Sequence, residues 1–158
     1  MGILIDTGIF FAFYSKRDVH HFDSLVLIIH ALEGKWGRPY ITDHILDETL
    51  NLLKYKLSHE TALEFLNAFI KSNNLEIIIA DEDIIRQSLE LFQKNWNVKG
   101  FSFTDAISIT IAKRYQLEYV MTYNTFLSKF LKVINSRYVQ SLPKEEIVKI
   151  KHITGNVM

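Results

Sequence analysis

The chain has 158 residues, 48% of them hydrophobic and 23% charged, and its 18 Lys plus Arg balance 18 Asp plus Glu to a formal net charge of zero. This size and apolar share suit one domain with a sizeable buried core, and the balance excludes a polybasic protein held on nucleic acid by bulk charge, though not a local basic groove. The lack of cysteine excludes a disulfide framework, a thiolate nucleophile, cysteine-ligated zinc and iron–sulfur sites.

Ile3-Leu4-Ile5 predicts a covered strand that Asp6 ends. Thr7 to Tyr14 reads as a short helix or turn. Lys16-Arg17-Asp18 then interrupts the apolar pattern before a helix over about residues 20–33, which Gly34, Gly37 and Pro39 break. The apolar run Leu25 to Leu32 contains His30 and is far shorter than the roughly 20 residues that cross a bilayer. The start, with Asp6 so early, lacks the basic and long apolar regions of an export signal. A cytoplasmic protein without a membrane segment is expected.

Tyr40-Ile41-Thr42 predicts a strand, Asp43 a cap for a helix to about Lys56, and Ser58 a cap for a second ending near Asn73-Asn74. Leu75 to Ala80 is the plainest buried-strand signal. Asp81 opens a helix whose apolar stripe takes in Ile84, Ile85, Leu89, Phe92 and Trp96. Residues 97–102 are a loop, and Thr104 or Asp105 starts a helix to Arg114. Tyr119 to Thr122 is strand-like, a short helix carries Phe126 and Phe130, and a last strand lies around Val133-Ile134. The tail from Pro143 to Ile153 fits a small helix and a strand, with ordering that depends on a second subunit. This order predicts a single-domain α/β fold with a mostly parallel central sheet covered by helices on both faces. Such sheets hold ligands beyond the carboxyl ends of their strands, where Asp6 and Thr122-Tyr123-Asn124 fall.

Three acids and an amide carry the functional reading. Asp6 ends a strand in apolar surroundings, so its carboxylate needs a cation or hydrogen-bond donors, although a strand-end Asp also serves as a helix cap. In 43–53 the packed stripe is Ile45, Thr49, Leu52 and Leu53; Glu48 sits at its edge beside a cleft, while Asp47 faces water. Asp105 stands in a first helical turn, where the dipole favours an acid, with Thr104 or Ser102 within bonding reach. Asn124 follows a strand and offers a neutral oxygen or a simple turn bond. Acids gathered at one rim repel unless a cation offsets them, and Mg²⁺ or Mn²⁺ prefers oxygen ligands.

Together these pieces resemble the PIN-domain family in its stand-alone, toxin-type (VapC-like) form. The likeness rests on Ile3-Leu4-Ile5-Asp6-Thr7, Glu48, Phe103-Thr104-Asp105-Ala106 and Met121-Thr122-Tyr123-Asn124-Thr125-Phe126. It implies a PIN-like core over residues 1–134 and a C-terminal extension, 135–158, packed on the domain or at a dimer interface. It also implies Asp6, Glu48 and Asp105 as catalytic metal-binding acids, Asn124 as a further metal-site residue, and Thr7 and Thr104 as polar support. Mg²⁺ or Mn²⁺ would be the cofactor. RNA would be the substrate, its phosphodiester bonds hydrolysed to 5′-phosphate and 3′-hydroxyl ends. The resemblance further implies a homodimer restrained by a small inhibitory antitoxin protein. A basic approach to the acids would use Lys54, Lys56, Lys129 and Lys132. Asn124 departs from the usual Asp, giving an oxygen without charge and weakening a second ion more than a first. The rival reading is therefore a catalytically weak or inactive PIN-like module that binds RNA or protein.

Other chemistries lack their residues. An Asp-x-Asp phosphatase fails at Gly8, and neither a dinucleotide glycine fingerprint nor a Walker lysine occurs. The six histidines include no His-Glu-x-x-His, and His30, in an apolar helical run, reads as a hydrogen-bonded core or interface residue. Trp36, Tyr40, Trp96, Phe101 and Phe103 either seal the core or stack on bases.

Overall fold

Each of the five expected strands pairs into one sheet in the computed structural model, which describes residues 1–155. They are β1 (Gly2–Ile5), β2 (Arg38–Thr42), β3 (Glu76–Ile78), β4 (Tyr119–Met121) and β5 (Lys132–Ile134). All neighbours are parallel, in the order β3-β2-β1-β4-β5. Ile3, Leu4 and Ile5 are fully buried in the central strand, which is why an unbroken branched run marks it rather than an alternation. Gly37 lets β2 start beside it: its φ is +85°, and a Cβ there would lie 2.7 Å from the Met1 carbonyl oxygen.

The helices are α1 (Thr7–Tyr14), α2 (His21–Leu32), α3 (Asp43–Lys56), α4 (His59–Phe65), α5 (Glu82–Lys94), α6 (Phe103–Arg114), α7 (Ser136–Gln140) and α8 (Lys144–Gly155). Residues Leu66–Lys71 continue α4 as a π-helical turn, and Thr125–Lys129 form a 3₁₀ turn. Helix α6 is buried almost all round, from Asp105 through Ala112, which is why it shows no amphipathic stripe. The run inside α2 is core, with Val26, Leu27, Ile28 and Ala31 buried.

Several local expectations change. Thr42, not Asp43, caps α3 by accepting the Ile45 N–H at 3.0 Å, which frees the Asp43 carboxylate to accept the Ala80 N–H beyond β3 at 3.2 Å. Helix α6 begins one or two residues early because Ser102 caps it. Trp96 lies past the end of α5 and is 75% exposed. The tail holds no strand among the described residues. Ile147, Ile150 and Thr154 recur every three or four positions on the inner face of α8, whereas Val148 is exposed, so helical spacing prevails over the local alternation. The last three positions of the expected extension, 156–158, lie outside the described residues.

Strand order fixes where a ligand can sit. From β1 the chain builds outward through β2 to β3, then returns to the other side of β1 for β4 and β5. The reversal leaves a crevice between the carboxyl ends of β1 and β4, the switch point of an open parallel sheet.

Candidate active site

Asp6 stands at that crevice. Its N–H donates to the Met121 carbonyl at 3.0 Å, extending the β1–β4 ladder by one bond. Its Oδ1 accepts the Thr7 N–H at 2.8 Å and its Oδ2 the Thr122 hydroxyl at 2.7 Å. Burial pushes Asp6 up to about 6; the Thr122 and Thr7 bonds oppose the rise, while the charges of Asp105 and Glu48 add to it. Thr122 is fully buried and escaped the sequence reading as a site residue. Its signal was its place one residue beyond the strand next to β1.

Asp105 enters from the first turn of α6. Its N–H donates to Ser102 Oγ at 3.1 Å, and its Oδ2 accepts the Ser102 N–H at 2.8 Å, a reciprocal capping box. The same Oδ2 accepts from Asn124 Nδ2 at 3.3 Å; Oδ1 has no partner among the described residues. Burial raises this carboxyl above the usual range against those bonds.

Asn124 does not present its oxygen to the crevice. Oδ1 accepts the Phe126 N–H at 3.1 Å, while Nδ2 donates to the Gly100 carbonyl at 3.0 Å and to Asp105. A donor at one end and a carbonyl at the other fix the amide's orientation. Asn124 thus joins the turn after β4 to the loop before α6.

Glu48 lies on the second turn of α3 and is exposed. It lines an open groove with His44, Asp47, Asn51, Leu52, Tyr55, Lys56 and Thr104. The expected separation of Asp47 from the cleft does not hold, since only Ile45, Thr49 and Leu53 of α3 are buried and both acids reach the open side. Asp47 accepts from Asn51 at 3.0 Å; of the pair, Glu48 is the one that acts on Asp6. Thr7 is buried, its hydroxyl accepting from Thr49 at 3.3 Å to tie α1 to α3. Thr104, half-buried, shares the groove wall with Glu48.

A PIN-domain profile matches residues 3–131, and a VapC ribonuclease of Archaeoglobus fulgidus is 48% identical over 153 residues, 97% of this chain and 95% of that protein. The chain belongs to the PIN-domain family. Solved structures share the fold. VapC20 of Mycobacterium tuberculosis, a sarcin–ricin loop cleaving toxin, superposes with a TM-score of 0.69 at 18% identity over 85% of this chain and 99% of that one. A toxin–antitoxin complex from Klebsiella pneumoniae gives 0.59 at 22% identity over 84% and 96%. FitAcB from Neisseria gonorrhoeae gives 0.60 at 19% over 86% and 99%.

The family is in general metal-dependent, and the donors of this PIN domain suit a hard divalent cation. Among the described residues no three carboxylate or imidazole groups form a ready-made ion cage. Small divalent ions of the Mg²⁺ type do not need one: they keep several waters and rest on one or two carboxylates plus substrate phosphate. Asp6 and Asp105 are fixed, oxygen-only donors, and the repulsion that raises Asp6 is of the kind a cation relieves. No helix is long and apolar enough to cross a membrane among the described residues.

Proposed function

We propose that this PIN domain is a divalent-metal-dependent endoribonuclease in which Asp6, Glu48 and Asp105 are the catalytic acids. The observation that carries the reading is Asp6 itself: a carboxyl at the switch-point crevice, pushed up to about 6 by burial and by two further acids. The 48% identity to a VapC ribonuclease over nearly the whole chain supports it.

When bound, Mg²⁺ or Mn²⁺ supplies positive charge that polarises the scissile phosphoryl group and acidifies water. Asp6 and Asp105 would hold that ion. Thr122 and the Thr7 N–H keep the Asp6 carboxylate in one rotamer, and the Ser102 box with Asn124 does the same for Asp105 through Oδ2, leaving Oδ1 without a protein partner among the described residues. Glu48, exposed at the groove edge, would complete the ligand set or take the proton of the attacking water. Attack on phosphorus breaks the P–O3′ bond; the proton ends on the leaving oxygen, giving 5′-phosphate and 3′-hydroxyl ends.

In this reading the chain acts in the cytoplasm as the toxin of a toxin–antitoxin pair, as a homodimer restrained by a small antitoxin protein. Toxin–antitoxin complexes among its structural neighbours support that partnership. Residues 1–134 form the catalytic core and 135–158 the extension, of which the described part, 135–155, is held on the core by the contacts of His30 with Tyr138 and Glu146. The neutral Asn124 is what favours the rival, a PIN-like binding module with weak or no catalysis. Incubating RNA with purified protein in Mg²⁺, Mn²⁺ or EDTA, beside Asp6→Asn, decides between them. Cleavage that needs the metal and Asp6 is the expected result; RNA binding without cleavage under any of these conditions would replace it with the rival.

A further inference from the structure

The groove beside the acids continues past Glu48. Its volume is about 470 Å³; along α3 the acids Asp47 and Glu48 line it near one end, Asn51 and Leu52 follow, and Tyr55 and Lys56 line the other. These positions recur at helical spacing on one face. Tyr55 is 75% exposed. Its ring meets no other aromatic ring among the described residues; the neighbour is the Lys54 ammonium, 5.8 Å from the ring centroid. More buried aromatics pack differently: Phe10 meets Phe65 and Phe69 edge to face, as Phe101 meets Phe126, and the equally exposed Trp96 does not line this groove. Neither Lys54 nor Lys56 forms an ion pair among the described residues. One end of the groove is therefore acidic, and the other presents the exposed Tyr55 ring beside the Lys56 ammonium, with Lys54 over the ring from outside the groove lining.

Seven residues of helix separate Tyr55 from Glu48, about 10 Å at 1.5 Å per residue. A nucleic acid strand covers that distance in two or three nucleotides. An aromatic face with flanking cations is the pairing that unpaired bases and their phosphates recognise. A paired base, already stacked on both sides, has no face to give. On the ribonuclease reading above, we propose that Tyr55 and Lys56 form a subsite for single-stranded RNA a few nucleotides from the scissile phosphate. Tyr55 stacks on one base, and Lys56, with Lys54, meets the neighbouring phosphates.

The test uses the full chain carrying Asp6→Asn, to prevent cleavage, and a fluorescein-labelled single-stranded RNA of 12 nucleotides or its duplex, followed by anisotropy. Tyr55→Ala should weaken single-strand binding roughly tenfold, with Tyr55→Phe and Tyr55→Trp within about twofold of the parent. Lys56→Gln should lower the slope of log affinity against log salt by about 0.7. With Asp6 restored, Tyr55→Ala should raise KM and leave kcat nearly unchanged. Unchanged affinity and KM in Tyr55→Ala, while the parent cleaves RNA, would overturn the subsite and assign this face to a protein partner. Equal binding of the duplex would also overturn it. Failure of the parent to cleave RNA in either metal strikes the ribonuclease reading instead, so the two failures are distinct.

Discussion

His30 and Asp6 are both ionisable groups held inside the fold, but each ring nitrogen of His30 has a partner, whereas Asp6 faces two charges of its own sign. His30 is 5% exposed; its Nδ1 lies 2.7 Å from the Tyr138 hydroxyl and its Nε2 3.1 Å from a Glu146 oxygen. Tyr138 in turn packs edge to face with Trp36, and the Lys35 ammonium sits over its ring. A buried polar group satisfied on every side locks one arrangement, here the seating of α7 and α8 on α2. At the sheet rim the hydrogen bonds of Thr7 and Thr122 only partly offset burial, and Asp105 and Glu48 add repulsion. The contrast teaches that the latch serves stability, while the rim gives stability up, as the proposed cation site requires.

Removing the acid should separate the two roles most sharply. Asp6→Asn is expected to lower metal-dependent RNA cleavage by roughly a thousandfold or more, the loss of several kcal/mol of transition-state stabilisation, while leaving the metal-free fold intact by circular dichroism. Breaking the latch should do the reverse. His30→Ala strands the Tyr138 hydroxyl and Glu146 and opens a gap, at a cost of about 2–4 kcal/mol in denaturant unfolding. Cleavage per folded molecule should stay within about twofold.

The pH dependence sharpens the contrast further. Asp6 has a folded pKa raised from 3.8 to about 6, so between those values the native state binds more protons than the unfolded chain. Its contribution to stability is present below about pH 4 and lost as pH rises through 6, on the order of 2–3 kcal/mol. In EDTA the parent should therefore lose Tm relative to Asp6→Asn between pH 4 and pH 7; parallel curves would contradict the assignment. The smallest effect is expected at Asn124. Asn124→Asp sets a second carboxylate against Asp105 and the Gly100 carbonyl, costing about 1 kcal/mol without metal. It should tighten Mn²⁺ binding several-fold by calorimetry.

The central strand was legible in the sequence because β1 is short, apolar and covered. Asp6 was legible for the same reason, an acid closing the run Ile3-Leu4-Ile5. By contrast, Leu75 to Ala80, expected as a buried strand, holds only an edge strand of three residues, of which Ile78 alone is buried, and Ile79 is 63% exposed. What escaped depended on contacts distant in the chain. Thr122 became a site residue through a bond across 116 positions, and Asn124 turned its oxygen away because Gly100 and Asp105 meet its nitrogen. In the tail a small helix was expected but so was a strand, and only packing extends the helix along the face that carries Ile150 and Thr154. Asp47 and Glu48 were separated by angle alone, which does not register how little of α3 the fold covers.

The most direct test of the rim is the titration of the Asp6 carboxyl itself, by carbon-detected NMR on the metal-free protein and again with saturating Mg²⁺. A midpoint near 6 that falls below 4 when the ion is added is the predicted result. An ordinary midpoint near 4 that Mg²⁺ leaves in place would contradict the account.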